Sequence, residues 1–307
     1  MNRAQNEKLA TLVSHPVNWQ CRLDSYTSLS IGGPAEAVIR VDKRQELQLL
    51  LAFLADENIS WRVVGRGTNL LVKDEGFAGV IIILGPEFKT ALRQPSEGGG
   101  TVIVRVGAGL SFTQLVQKCV DWGLAGVEFA CGIPGTLGGA VIMNAGAWGG
   151  EMSSVVASVR LITADGEIQI GQKDLKFSYR CWDGFAPYLG KAVVSKIDLE
   201  LKNGNPAQIR QYCCELQDRR KETQHCKYPN AGSFFKNPDS DSAGRLIDSS
   251  GLKGTIIGGA MISEHHGNFL VNKGGATAAD VLDLMKMVQA KVKVDSGILL
   301  EPEIHFI

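Results

Sequence analysis

The chain has 307 residues, with 32 basic and 32 acidic side chains in balance. That balance gives no support to nucleic-acid or membrane-surface binding, which both want a basic excess. The length suits two domains or three, and a core large enough to need no covalent staples. Seven cysteines at spacings that fit no zinc pattern point to reduced, packed thiols in a cytoplasmic protein. No metal is expected. Met1 to Ala10 is too polar for a signal peptide, and no apolar run reaches the ~18 residues of a membrane span.

In chain order, residues 1–20 read as a polar lead-in. Tyr26 to Pro34 is turn-rich and leads into a strand at Ala37 to Val41. Asp42 is expected to cap a helix, with Gln45 as reciprocal partner and Leu47, Leu50, Leu51 and Leu54 on its inner face. Short apolar runs follow at Trp61 to Val64, Val80 to Leu84 and Thr101 to Gly107, with a polar hairpin loop at 94–100. Ser111 and Gln114 form a capping box. The helix they open carries Leu115, Cys119 and Trp122 inward and stops at Gly123. Val155 to Thr163 and Glu167 to Ile170 read as a hairpin turning at Asp165-Gly166. Ala192 to Leu201 alternates like a half-buried strand.

Asn203-Gly204-Asn205-Pro206 reads as a boundary, with Pro206 opening a helix striped by Ile209, Cys213 and Leu216. Beyond it a smaller α+β unit is expected. It comprises a polar loop at 228–241, a short helix from Ala243 stopped by Gly251, and strands near 255–257 and 269–271. A long helix follows from Thr277, capped with Asp280, with Val281, Leu284, Met285, Val288 and Val292 inward. A last strand runs from Leu300 to Ile307.

The 36 glycines exceed the usual share of about 7% and cluster without a period. The densest stretch runs from Gly126 to Gly150. Residues without Cβ let the backbone turn left-handed and come close to a ligand. Bare peptide N–H groups make a nest for phosphate oxygens, and Asn144 could add a donor. A glycine-rich turn between buried strands is the plain alternative. A second glycine loop, Gly65 to Leu71, follows an apolar run. Two such loops suit a ligand whose diphosphate spans them. Neither is a Walker loop, and no G-x-G-x-x-G opens a helix, which disfavours a Rossmann NAD fold.

Outside the loops, Arg180 could fork onto a carboxylate or be an ordinary surface arginine. Ser233 is a hydroxyl in an apolar loop, or a turn stabiliser. Glu303 sits on a terminal strand, or on its solvated face. His265 and His266 are adjacent, and on a strand they would point to opposite faces.

The motifs SIGGPAE, GRGTNLL, GIPGTLGGAVIMNAGAWG, YR, AGSFFKNP, AGRLIDSSGLKG, GGAMISEHHGNFLVN and LEPEI stand in one order from Ser30 to Ile304. In that order the chain resembles the UDP-N-acetylenolpyruvoylglucosamine reductases of the shorter type. The resemblance implies an α+β fold. Its FAD-binding module would be of the vanillyl-alcohol-oxidase (PCMH) type, with subdomains at 1–58 and 59–201. A substrate-binding α+β domain would follow at 202–299, with residues 300–307 returning to the first subdomain.

The resemblance also implies FAD held by Gly65, Arg66, Gly67, Thr68, Asn69, Leu70, Gly132, Ile133, Pro134, Gly135, Thr136, Gly138, Gly139, Asn144 and Gly146. NADPH and a UDP-sugar would use one cleft in a monomer. Ser233 matches the proton donor. Arg180 and Glu303 match the pair that stabilises the intermediate. Tyr179, Lys236 and Asn237 match substrate contacts. Such an enzyme reduces an enolpyruvyl ether for peptidoglycan precursor synthesis.

The chain departs from the pattern at Cys181-Trp182, at His225, at His265-His266, and at His305. The last stands where Arg is usual, so a cation there becomes pH-dependent. Another FAD-linked oxidoreductase on the same module would share the glycine loops without needing Arg180, Ser233 and Glu303 together. A non-catalytic nucleotide-sugar binder would be colourless.

Overall fold

The computed structural model describes residues 1–94 and 100–307. Most of the loop expected at 94–100 lies outside the described residues. The chain forms two compact units. The first comprises Met1–Trp19, Ala37–Gly65 and Gly79–Arg219, and the second Gln20–Glu36, Arg66–Ala78 and Arg220–Ile307.

In the first unit, the strand Trp61–Val63 runs parallel to Phe77–Leu84, with Val63 opposite Ile82. The helix Arg44–Asp56 covers this sheet with Leu47, Leu50, Leu51 and Leu54, all buried in one cluster with Ile39, Val80 and Ile82. Its capping differs from expectation. Lys43 is the N-cap and makes no side-chain bond. The Asp42 carboxylate is taken instead by His15 and Arg40, both at 2.7 Å. Glu46, not Gln45, reaches back to accept from the Asp42 N–H. The polar lead-in also holds a helix, Arg3–Leu12, opened by an Asn2–Gln5 capping box and anchored by Leu9 alone. One buried residue leaves no apolar stripe to read.

The larger sheet of this unit is antiparallel. Its strands run in the order Gly166–Gly171, Val156–Thr163, Ala192–Asn203, Thr101–Gly107, Ala91–Arg93. Ala192–Asn203 is therefore central, and it is buried on both faces along most of its length rather than half-buried. Its polar positions are paired, as burial requires. Arg105 donates to Asp198 through Nε (2.7 Å) and Nη2 (2.9 Å), Ser158 donates to Asp198 at 3.1 Å, and Ser195 donates to the Arg160 carbonyl at 3.0 Å. The helix Phe112–Trp122 has the expected Ser111–Gln114 box and ends on Gly123 in the left-handed conformation. The helix Pro206–Thr223 lends Ile209, Cys213 and Leu216 to the same core.

The second unit is organised around a four-stranded antiparallel sheet in the order Asn230–Ser233, Phe269–Asn272, Ala260–Ile262, Ile256–Ile257. The strand Ala260–Ile262 was not expected. A two-residue turn at Gly258-Gly259 folds it back on Ile256–Ile257, and two short runs so close merge in a sequence reading. The helices Ala243–Ser249 and Ala278–Ser296 pack on this sheet. The longer one has the expected Thr277–Asp280 box and buries Val281, Leu284, Val288 and Val292. The C-terminal segment is mostly irregular. Only His305–Phe306 is a strand, and it pairs in parallel with Leu70–Leu71. Upstream, Pro302 makes an isolated antiparallel bridge with Phe235, and the Glu303 N–H goes to Phe234 O instead of continuing the parallel ladder. No described helix is long and apolar enough to cross a membrane.

Candidate active site

Within the first unit, Gly65 meets the long glycine stretch at Thr136. A Cβ on Gly65 would lie 2.3 Å from Thr136 Oγ1, a distance no side chain tolerates. Gly65 is exposed, and so are Gly132, Pro134 and Gly139 in the glycine stretch on either side of Thr136. Gly132 and Gly135 have φ of 78° and 137°, a region that favours glycine. Surface backbone without bulk is what a dinucleotide cradle requires, so these residues fit FAD. Other members of the expected set are committed elsewhere. Gly138 is buried and donates its N–H to Ala108 O at 2.8 Å. Gly146 packs on the Gly150 carbonyl. Asn144 is only 1% exposed. Its Nδ2 donates to Ser178 O at 3.0 Å, and its Oδ1 accepts from Ser153 N at 2.9 Å.

Those bonds tie the glycine stretch to Arg180. Phe177–Ser178 and Cys181–Trp182 form a minimal hairpin, with Ser178 opposite Cys181. Tyr179 and Arg180 are its two tip residues. Arg180 has φ 59°, uncommon for a residue with a Cβ and costing about 1 kcal/mol or more. Its guanidinium carbon sits 5.1 Å from the centroid of the exposed Tyr179 ring.

In the second unit, Ser233 ends the strand Asn230–Ser233 opposite Phe269. The apolar pair Phe234-Phe235 that follows is fully buried and pulls the loop inward. Asn268 pins it. Its Oδ1 accepts from Phe235 N (2.9 Å), its Nδ2 donates to Phe235 O (2.8 Å), and its carbonyl accepts from Phe234 N (2.8 Å). On the other side runs the C-terminal segment. Glu303 N donates to Phe234 O and Lys236 N donates to Glu301 O, both at 2.8 Å. Lys236 Nζ also reaches Glu301 Oε2 at 3.5 Å. Ser233, Lys236 and Glu303, far apart in sequence, thus lie on adjoining segments. Asn237 is exposed, and its side chain accepts from Ala243 N at 3.0 Å, at the start of the helix Ala243–Ser249.

Arg66 to Leu70 also belong to this unit. Gly67 (φ 61°) packs on the Tyr26 carbonyl, and its own carbonyl accepts from Ser28 N at 3.1 Å. Asn69 turns toward the C-terminal segment: its Nδ2 donates to Glu303 O at 3.1 Å, and its carbonyl accepts from His305 N at 3.1 Å. Among the described residues, no three His, Cys, Asp or Glu side chains are grouped to hold a metal.

Residues 224–307 match the C-terminal domain of UDP-N-acetylenolpyruvoylglucosamine reductase, and residues 35–171 match an FAD binding domain. The UDP-N-acetylenolpyruvoylglucosamine reductase of Desulfosudis oleivorans is 41% identical, over 100% of this chain and 99% of that protein. That of Syntrophus aciditrophicus is 41% identical over 98% and 95%. The crystal structure of the enzyme from Thermus caldophilus superposes with a TM-score of 0.79 at 37% identity, covering 95% of this chain and 98% of that one.

The chain belongs to the UDP-N-acetylenolpyruvoylglucosamine reductase family.

It is an FAD-dependent oxidoreductase with an α+β FAD-binding module and the family's C-terminal domain. Within this reductase, two residues that the sequence reading passed over structure the serine loop: Asn268 and Glu301. Asn268 lies inside a quoted motif, yet a buried amide bonding backbone leaves no spacing to detect. His305 titrates below its ordinary value. Crowding of the ring by surrounding protein is the first cause, though the residue keeps an exposed face, and the Lys236 ammonium adds repulsion. His266 is shifted down too, by burial first and by Lys253. Its Nδ1 accepts from Asn268 N at 3.2 Å, and its ring lies 4.4 Å from that of Phe269.

Proposed function

We propose that the protein reduces the enolpyruvyl group of UDP-N-acetylglucosamine enolpyruvate to the lactyl ether of UDP-N-acetylmuramate, with NADPH as reductant, in peptidoglycan precursor synthesis. Residues 1–58 and 59–201 serve FAD and residues 202–299 serve the sugar nucleotide, and the C-terminal segment, which pairs with Leu70–Leu71, returns to the Gly65 to Leu71 loop rather than to residues 1–58. The protein acts in the cytoplasm as a monomer, and NADPH and substrate take turns in a shared cleft. The observation that carries this reading is the bond from Glu303 N to Phe234 O, which sets Glu303 beside the segment bearing Ser233.

Gly65, Arg66, Thr68, Leu70, Gly132, Ile133, Pro134, Gly135, Thr136 and Gly139 would hold the cofactor; Gly67, Gly138, Asn144 and Gly146 brace the loops that do so. When bound, FAD supplies hydride transfer, from NADPH to the terminal vinyl carbon of the substrate. The difficulty left to the protein is electrostatic. The double bond is conjugated to a carboxylate, so hydride arrival builds charge on a group that is already negative. Arg180 forks onto that carboxylate, and Glu303, in its protonated form, donates a hydrogen bond as charge develops. Ser233 then protonates the neighbouring carbon and fixes the stereocentre. A hydroxyl is a weak acid, but the enolate is basic enough to take its proton. Tyr179, Lys236 and Asn237 hold the sugar nucleotide, Lys236 as a point charge for its diphosphate.

The test begins with the visible spectrum of the purified protein. It should carry the two absorption bands of a bound flavin. NADPH consumption should then depend on the enolpyruvyl sugar nucleotide, yielding a product heavier by two hydrogens. A protein that cannot be reconstituted with FAD, or one that consumes oxygen with an alcohol donor instead, would overturn the proposal.

A further inference from the structure

The geometry points to Asn69 as a positioning residue for Glu303, rather than as a direct ligand of the cofactor. Both peptide groups of Glu303 are engaged. Its N–H donates to Phe234 O at 2.8 Å, on the segment that follows Ser233. Its carbonyl accepts from Asn69 Nδ2 at 3.1 Å. Two residues on, His305 N donates to Asn69 O at 3.1 Å, and the parallel ladder continues through His305 opposite Leu70 and Phe306 opposite Leu71. Asn69 therefore holds the terminal segment at two points with one side-chain donor and one main-chain acceptor.

An amide is the side chain suited to this task. Its NH₂ donates to the carbonyl without carrying a charge next to Glu303. A carboxylate of the same size would set two acceptors against each other, and a methyl would leave the carbonyl without this donor. The bond ties the carbonyl at the end of the Glu303 residue, so it limits how far the carboxyl-bearing Cα can drift from the Ser233 loop. Displacement of a reacting group by about 1 Å can cost ~100-fold in rate. Asn69 thus links the glycine loop to the acid, and the same residue fixes where that loop ends and where Glu303 begins.

This inference rests on the reading of Glu303 as the acid that supports the reaction, and the experiment separates the two. Asn69→Ala, Glu303→Gln and the double variant are reduced with NADPH and then mixed with the enolpyruvyl sugar nucleotide in a stopped-flow instrument, with FAD content measured beside. Asn69→Ala should keep its FAD and its flavin reduction rate within about twofold, and slow flavin reoxidation by ~10- to 100-fold. In the Glu303→Gln background the same substitution should change reoxidation by less than about twofold, because nothing remains to be positioned. If Asn69→Ala is insoluble, Asn69→Asp, which keeps the main-chain bond to His305, carries the same test. Loss of FAD, or equal damage to both half-reactions, would make Asn69 a cofactor ligand or a structural residue and overturn the inference. So would losses that simply multiply in the double variant. A Glu303→Gln protein that reoxidises at the wild-type rate would instead remove the role of Glu303 itself, and the clamp with it.

Discussion

The bare Cα of Gly65 rests against the Thr136 side chain: any β-carbon there would come within 2.3 Å of Oγ1. Gly65 and Thr136, about seventy residues apart in sequence, are thereby in van der Waals contact, and Gly65, Gly132 and Gly139 stay exposed. The first prediction separates this packing from cofactor binding. Gly65→Ala should lower the melting temperature and lose FAD, because Thr136 must shift. At Gly139 an added methyl would meet only Thr136 Oγ1, at 3.8 Å, so Gly139→Ala should melt like the wild type yet bind FAD more weakly. Thermal melts with and without added FAD check both; wild-type FAD affinity in Gly139→Ala would remove that residue from the cradle.

Ser233→Ala should leave reduction of the flavin by NADPH nearly intact and slow its reoxidation by the sugar nucleotide ~100-fold or more. Solvent deuterium offers an independent readout, since the lactyl carbon takes its proton from the hydroxyl. Equal impairment of the two half-reactions would rule out proton donation by this residue.

Arg180→Lys should cut turnover by about 10-fold or more, because a point charge cannot reproduce a planar two-pronged donor. Stability should barely change, since the hairpin tip retains its Ser178 bond to Asn144. Turnover at the wild-type level would count against carboxylate recognition by Arg180.

Acid should destabilise the fold partly through His266. Its folded value lies below the ordinary ~6.5, with burial as the leading cause. The unfolded chain therefore binds the proton more readily, and stability is lost as pH falls below that ordinary value. Protonation would also place an N–H on Nδ1 against the Asn268 N–H that it now accepts. His305 adds in the same direction. His266→Gln, which can accept without titrating, should show a smaller drop in melting temperature than the wild type between about pH 7.5 and about pH 5. Parallel curves would discount His266.

Much of the architecture was readable from local rules. The capping boxes at Ser111 and Thr277 and the leucine face of the helix Arg44–Asp56 depend on neighbours three or four residues apart, and all three formed. What escaped depends on partners distant in sequence. Asp42 looks like a cap until His15 and Arg40 claim it. The alternation in Ala192–Asn203 suggests a wet face until Arg105 and Ser158 bury Asp198 with it. The site divides the same way. Residue types and motif order singled out Arg180, Ser233 and Glu303, while Asn69 and Asn144 were expected at the cofactor and Asn268 was passed over. Their bonds go to main-chain atoms, which leave no trace in side-chain pattern.

The left-handed backbone at Arg180 has a practical consequence for anyone redesigning this molecule. A search for thermal robustness would flag a non-glycine residue at φ 59° and recommend glycine, for a gain of around 1 kcal/mol. Such a variant would relieve the backbone at the cost of the guanidinium and its Tyr179 contact. Screening by heat resistance alone would rank it a success.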